Sequence, residues 1–161
     1  MQSKERLEAY LREHQVPYQE QQHARAFTAQ DVAATEHIPG KLVVKVVIAF
    51  ADGKMVMLAL PASYRVDFAR AGEALGAREV RLASEAELHA AFPDCEVGAM
   101  PPFGNLYQLP VYVDRHLAED ETIVFPVGTH TETMRLRYTD FARLVNPTVV
   151  EFAYPAQMAL R

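Results

Sequence analysis

The chain has 161 residues, half of them hydrophobic, and a formal net charge of −5. That is the size of one domain, with enough apolar sequence to bury a core unaided by disulfides or metals; its single cysteine, Cys95, excludes an internal bridge and fits a reducing, cytoplasmic compartment. The acidic balance argues against a protein that coats nucleic acid through bulk charge, but not against one that holds only the end of a nucleic acid.

The opening stretch, MQSKERLEAYLREH, is charged and lacks the apolar segment of a secretion signal. No apolar run approaches the roughly 20 residues of a membrane span. Residues 3–15 read as a helix, with Ser3 as a candidate N-cap and Leu7, Tyr10, Leu11 and His14 at helical spacing. VPYQEQQH is a short extended piece, and TAQDVAATEHI a second helix capped by Thr28, stopped by Pro39 and Gly40. Two β-rich runs follow, LVVKVVIAF and MVMLALP, separated by Ala51, Asp52, Gly53 and Lys54, and the Asp-Gly between them is a hairpin signal. SYRVDFARAGEALG reads as a helix, REVRLA as a strand, and SEAELHAAF as a short helix capped by Ser84. After the loop VGAMPPFGNLY come the strands LPVYVD, ETIVFPVG and THTETMRLR, a helix TDFARLV capped by Thr139, and a last strand TVVEFAY. Helices and hairpins alternate along one chain, so the expected fold is a single α+β domain over residues 1–161 with a curved mixed sheet.

Three features carry chemistry. In KLVVKVVIAF, period two puts Lys45 beside Val43 and Val47 on one strand face, with Leu42, Val44, Val46, Ile48 and Phe50 on the other. Lys45 therefore rises from an apolar floor. It is either a snorkelling lysine whose stem covers apolar surface, or a pocket lysine whose ammonium attracts phosphate or carboxylate in a low-dielectric cleft. Periodicity does not separate the two. The loop GAMPPFG, Gly98 to Gly104, has two prolines that restrict φ and glycines that permit close approach. It is either a tight connection or a rigid rim of main-chain groups around a small ligand. In VGTHTET, Gly128 permits a turn, and Thr129, His130 and Thr131 place polar groups at a strand junction; His130 is either solvated or a tunable donor to a substrate. The other histidines show no metal-ligand spacing, and neither a nucleophile elbow nor a P-loop is present. Arg65, Arg70, Arg78 and Arg81 are a candidate basic patch, although arginines of this kind are mostly just solvated.

IPGKLVVKVV, GAMPPFG and GTHTETMRL, in this order and spacing, resemble the YbaK-like aminoacyl-tRNA deacylases, the family of the editing domain of bacterial prolyl-tRNA synthetases and its free-standing relatives. The resemblance runs from the first helix to about residue 146. It implies a YbaK-like fold, a barrel-like and mostly antiparallel sheet flanked by helices. It also implies metal-independent and cofactor-free hydrolysis of the ester between a small amino acid and the terminal adenosine of a tRNA, tRNA-Pro first among candidates. By the same resemblance Lys45 holds the phosphate or ribose end, and Gly98 and Pro102 shape the aminoacyl pocket and orient the attacking group. Val46, Pro101, Phe103, Gly104, Gly128, Thr129 and His130 are the implied substrate-binding positions. The implied partner is the tRNA acceptor end, with a synthetase as a further candidate; no membrane partner is expected, and monomer and homodimer both stay open. The sequence departs from the alanine-editing branch at Val46, where a polar residue is usual, and from other branches in its MPPFG rim. A non-catalytic module binding an aminoacyl or nucleotide group is the alternative reading, and an unrelated small-molecule enzyme on the same fold a third.

Overall fold

The computed structural model describes residues 3–22 and 39–157. The helix expected over TAQDVAATEHI, with its cap Thr28, lies outside the described residues. Five α-helices and ten strands are found among those described. In chain order they are α1 (Ser3–Glu13), β1 (Gln19–Gln22), β2 (Val44–Ala51), β3 (Lys54–Pro61), β4 (Tyr64–Val66), α2 (Phe68–Leu75), β5 (Val80–Leu82) and α3 (Glu85–Ala91). Then follow a 3₁₀ turn (Gly104–Tyr107), β6 (Val111–Asp114), α4 (Arg115–Ala118), β7 (Thr122–Pro126), β8 (Glu132–Arg137), α5 (Tyr138–Val145), β9 (Thr148–Val150) and β10 (Ala153–Pro155).

Local chemistry sets most of these limits. Helix α1 buries Leu7 and Leu11, one turn apart, and leaves its charged face outside. The β2–β3 hairpin turns on Asp52 and Gly53 alone, at φ 49° and 82°. Both angles are positive, as a two-residue turn matched to strand twist requires. The Ser84 and Glu87 side chains cap α3 reciprocally. Asp67 caps α2 by accepting from the Ala69 and Arg70 N–H groups, and Gly76 ends it at φ 70°.

Four details differ from the sequence reading. SYRVDF begins with strand β4, because Asp67 takes the cap and leaves Tyr64–Val66 free to pair with β10. Asp114, at the end of LPVYVD, caps the unexpected one-turn helix α4 through the His116 N–H. Helix α5 starts at Tyr138 with Arg137 as an N-cap that makes no side-chain bond, so Thr139 is not the cap. TVVEFAY splits into β9 and β10, which join different sheets.

The strands form a five-stranded mixed sheet, β5-β2-β3-β6-β9, a three-stranded antiparallel sheet, β1-β8-β7, and the pair β10-β4. A parallel bridge between Val43 and Val124, with the Val124 N–H donating to the Leu42 carbonyl at 3.0 Å, joins β7 to the start of β2. The result is a curved, open α+β arrangement. The main core lies inside the curve: Val44 and Ile48 of β2, Ile123 and Phe125 of β7, and Met134 and Leu136 of β8 meet Leu7, Leu11, Phe103 and Phe141. A smaller core on the other face of the large sheet gathers Ala49, Val56, Leu58, Leu60, Ala71 and Phe152. Asp114, fully buried, ties this second core together. Its Oδ2 accepts from the Phe152 and Ala153 N–H groups at 2.9 and 2.8 Å, and its Oδ1 meets His116 Nδ1 at 2.6 Å. No helix among the described residues is long and apolar enough to cross a membrane.

Candidate active site

Strand β2 places Lys45 as its period predicts. Val44, Val46, Ile48 and Phe50 turn to the main core, while Val47, Ala49 and Ala51 turn to the second. Lys45 projects with the second set. Its cross-strand neighbour is Leu60, which is fully buried. The lysine is half-buried, and among the described residues it has neither an ion pair nor a hydrogen bond. Burial, and then the positive charge of Arg65, hold its ammonium below the ordinary lysine value. Arg65 stands on β4 opposite Tyr154, exposed and likewise without an ion pair among the described residues.

Two cations that repel one another, with no ion-pair partner among the described residues, are an unbalanced arrangement, and a bound anion would relieve it. Two members of the suspected basic patch are already neutralised, while Arg78 is exposed without an ion pair among the described residues. Arg70 pairs with Glu151 at 3.3 Å, and Arg81 grips Glu87 at 3.0 Å through both guanidinium nitrogens. Arg65 is the member whose charge acts on the lysine, and nothing in the spacing of the four arginines singled it out.

The structure brings the Gly-Pro loop and the Gly-Thr-His turn together. The Gly128 N–H donates to the Ala99 carbonyl at 2.8 Å, and the Glu96 N–H donates to the Gly128 carbonyl at 2.8 Å. Gly98 is exposed at φ 84°, while Ala99, Met100, Pro101 and Pro102 are buried, so the rim presents main chain at one end and a packed wall behind it. Phe103 is fully enclosed, tilted against Phe125 and edge-on to Phe141. Gly104 opens the 3₁₀ turn against Val111, where a Cβ would lie 2.6 Å from Val111 Cγ2. These two anchor the loop into the core.

His130 is 8% exposed, with Nε2 3.7 Å from Glu96 Oε2, and Thr129 Oγ1 lies 3.3 Å from Thr131 Oγ1. Glu96 is a functional candidate that sequence reasoning missed, since its only signal is standing two residues before Gly98. Behind the loop, the Tyr107 hydroxyl lies 3.2 Å from both Asp94 carboxylate oxygens and 3.3 Å from Ser3 Oγ; Arg6 reaches Asp94 at 3.2 Å and stacks over the Tyr107 ring. Cys95 sits in this brace, where burial raises its thiol pKa and keeps it protonated. Val46 points away from Lys45, toward the main core.

Gly128 has no alternative residue. Its φ is 99°, and a Cβ there would lie 3.0 Å from Ser3 Cβ. Gly128→Ala is expected to lower stability by about 2–3 kcal/mol, the strain of positive φ adding to that clash. Urea unfolding checks this, and a midpoint equal to that of the parent would show that the turn does not need glycine.

The sequence profile of the aminoacyl-tRNA editing domain matches residues 23–144. Over 125 residues, 76% of this chain, the sequence is 31% identical to a proline–tRNA ligase of Thiobacillus denitrificans (strain ATCC 25259 / T1), and it spans 21% of that ligase's length. The fold is shared with the crystal structure of hypothetical protein APE2540: TM-score 0.82, 17% identity, 92% of this chain and 99% of that one. It is shared also with a protein described as a candidate trans-editing enzyme for prolyl-tRNA synthetase: TM-score 0.80, 20% identity, 94% of this chain and 97% of that one. With the profile covering most of the chain, and a lysine strand, a Gly-Pro rim and a Gly-Thr-His turn all inside the matched region, this chain belongs to the aminoacyl-tRNA editing domain family.

Proposed function

We propose that the chain is a free-standing cytoplasmic aminoacyl-tRNA deacylase, acting as one editing domain, that hydrolyses the ester of a small mischarged amino acid on tRNA, with tRNA-Pro the first candidate. The observation that carries this reading is the half-buried Lys45 on an apolar strand face, which has no anion among the described residues to balance it. A phosphate of the terminal nucleotide supplies that anion, and a charge-assisted contact at this depth fixes the end of the RNA. The name of the ligase relative supports proline tRNA as the first candidate.

The rim from Gly98 to Pro102, clamped to Gly128, acts as the wall of the aminoacyl pocket and rejects large side chains by volume. Thr129 and His130 border it. Water adds to the ester carbonyl, the bond from carbonyl carbon to ribose oxygen breaks, and that oxygen leaves with a proton as the ribose hydroxyl. Positioning of the ester and water accounts for the acceleration, through hydrogen bonds from the rim backbone and from the substrate's own hydroxyls.

Purified protein incubated with tRNA-Pro charged with alanine, cysteine, serine or proline tests the reading. The expected result is catalytic turnover of one small noncognate ester, with prolyl-tRNA left intact. Stoichiometric protection of the ester without turnover would establish the alternative, a binding module.

A further inference from the structure

The parallel bridge between Val43 and Val124 has a geometric consequence. Paired residues share a side of the sheet, so the side of β2 that carries Val43 and Lys45 continues across β7 through Val124. Val124 pairs with Arg135 of β8, and Thr122 pairs with Arg137. Their alternate neighbours Ile123, Phe125, Met134 and Leu136 all enter the main core. Lys45, Val124, Arg135 and Arg137 therefore stand on one side of the sheet, away from that core, with the buried Val43 and Val124 between the lysine and the two arginines.

Arg135 and Arg137 are exposed, and neither has an ion pair among the described residues. Tyr18, Gln19 and Thr122 join them in lining an open cleft of about 480 Å³. The nearby carboxylates Glu20 and Glu132 are engaged by Lys4, at 3.6 and 3.3 Å. Two strand spacings and one two-residue step separate Lys45 from Arg135, about 12 Å on a flat sheet, and a further step of about 7 Å leads to Arg137. On a chain of net charge −5 these are two exposed cations without ion pairs among the described residues, on the lysine's side of the sheet and beyond the buried Val43–Val124 step.

We propose that Arg135 and Arg137 bind the sugar–phosphate backbone of the RNA strand whose end occupies the Lys45 site. This rests on the editing reading for the identity of the RNA. The contacts are to phosphates, so they carry affinity and orientation and leave the choice of amino acid to the pocket. Their loss should affect the binding of an acceptor stem, while a substrate too short to reach β8 should be processed as before.

The test is equilibrium binding of an uncharged hairpin RNA bearing the acceptor stem of tRNA-Pro, measured against salt concentration, for the full chain and for Arg135→Ala/Arg137→Ala. Both side chains are exposed, so the variant retains its fold, which circular dichroism checks. The expected result is binding at least tenfold weaker at low salt, with the slope of log K against log salt reduced by about 1–2. Unchanged affinity and slope would overturn the proposal, as would failure of the parent protein to bind the hairpin at low salt. Because the readout is binding of uncharged RNA, absence of deacylation would sink the hydrolase reading without deciding this one. In an active preparation the same variant should raise KM for charged tRNA and leave kcat, and turnover of an aminoacylated trinucleotide, unchanged.

Discussion

Replacing Lys45 by Met is expected to abolish most activity while leaving the melting temperature unchanged or raised. The two halves of that result have separate causes. In the folded protein the ammonium is half-buried, has no counter-ion among the described residues and feels the positive charge of Arg65. An apolar side chain of similar length keeps the packing over Val43, Val47 and Leu60 and removes a desolvated charge, so no stabilising pair is lost. In the complex, by contrast, the variant loses a charge-assisted contact of about 1.5–3 kcal/mol, equivalent to about ten- to a hundredfold in kcat/KM. A lysine serving the fold would give the opposite pattern, a lower melting temperature with proportionate loss of activity. Deacylation by Lys45→Met at the parental rate would remove the role assigned to this residue.

The pH dependence follows from the same burial. In the unfolded chain the group titrates near 10.5, and in the fold its pKa is lowered. The charged form is thus disfavoured by folding, a penalty present below the folded pKa and lost as pH rises through it toward 10.5. Phosphate binding requires the charged form, so affinity for the uncharged hairpin should be full below the folded pKa and fall as pH passes through it, in a window below the ordinary lysine value. Lys45→Arg, which stays protonated, should retain affinity across that window. A fall identical in the parent and in Lys45→Arg would assign the limb to another group.

The second large effect concerns stability. Asp114 is fully buried at the crossing of three elements, accepting from the Phe152 and Ala153 N–H groups and holding His116. Asp114→Ala leaves two buried backbone donors unsatisfied at about 1–3 kcal/mol each and opens a small cavity. The expected loss is about 3–5 kcal/mol, or on the order of 10 °C in melting temperature for a chain of this size. Asp114→Asn keeps the shape but turns a donor toward one of these N–H groups, so it is also expected to destabilise. A variant melting within about 2 °C of the parent would show that β10 docks without this clamp.

Several elements were legible because their causes are local. The β2–β3 hairpin follows from Asp52-Gly53 between two apolar runs, α3 from the reciprocal Ser84 and Glu87 caps, and the two faces of β2 from alternation alone. Strand β4 was missed because Tyr64–Val66 has no periodicity of its own and exists only through its partner β10, 87 residues away at Ala153↔Val66. Thr139 was favoured as a cap by its residue type, but the chain enters α5 two residues earlier, with Arg137 at the cap position, because Tyr138 and Phe141 pack into the core together. Here burial outweighs a cap bond of about 1 kcal/mol.

The sequence by itself determined the family, the α+β class, the hairpin and the presence of a lysine rising from an apolar strand face, because each depends on residue type and short-range spacing. Only the tertiary structure decided what surrounds that lysine. Which arginine of four acts on Lys45 through its charge, that Glu96 meets His130, that the Gly-Pro rim is clamped to Gly128, and that Arg135 and Arg137 share the lysine's side of the sheet all depend on strand pairings between segments far apart in the chain. Those pairings are set by the joint burial of two cores, which no local window of sequence contains.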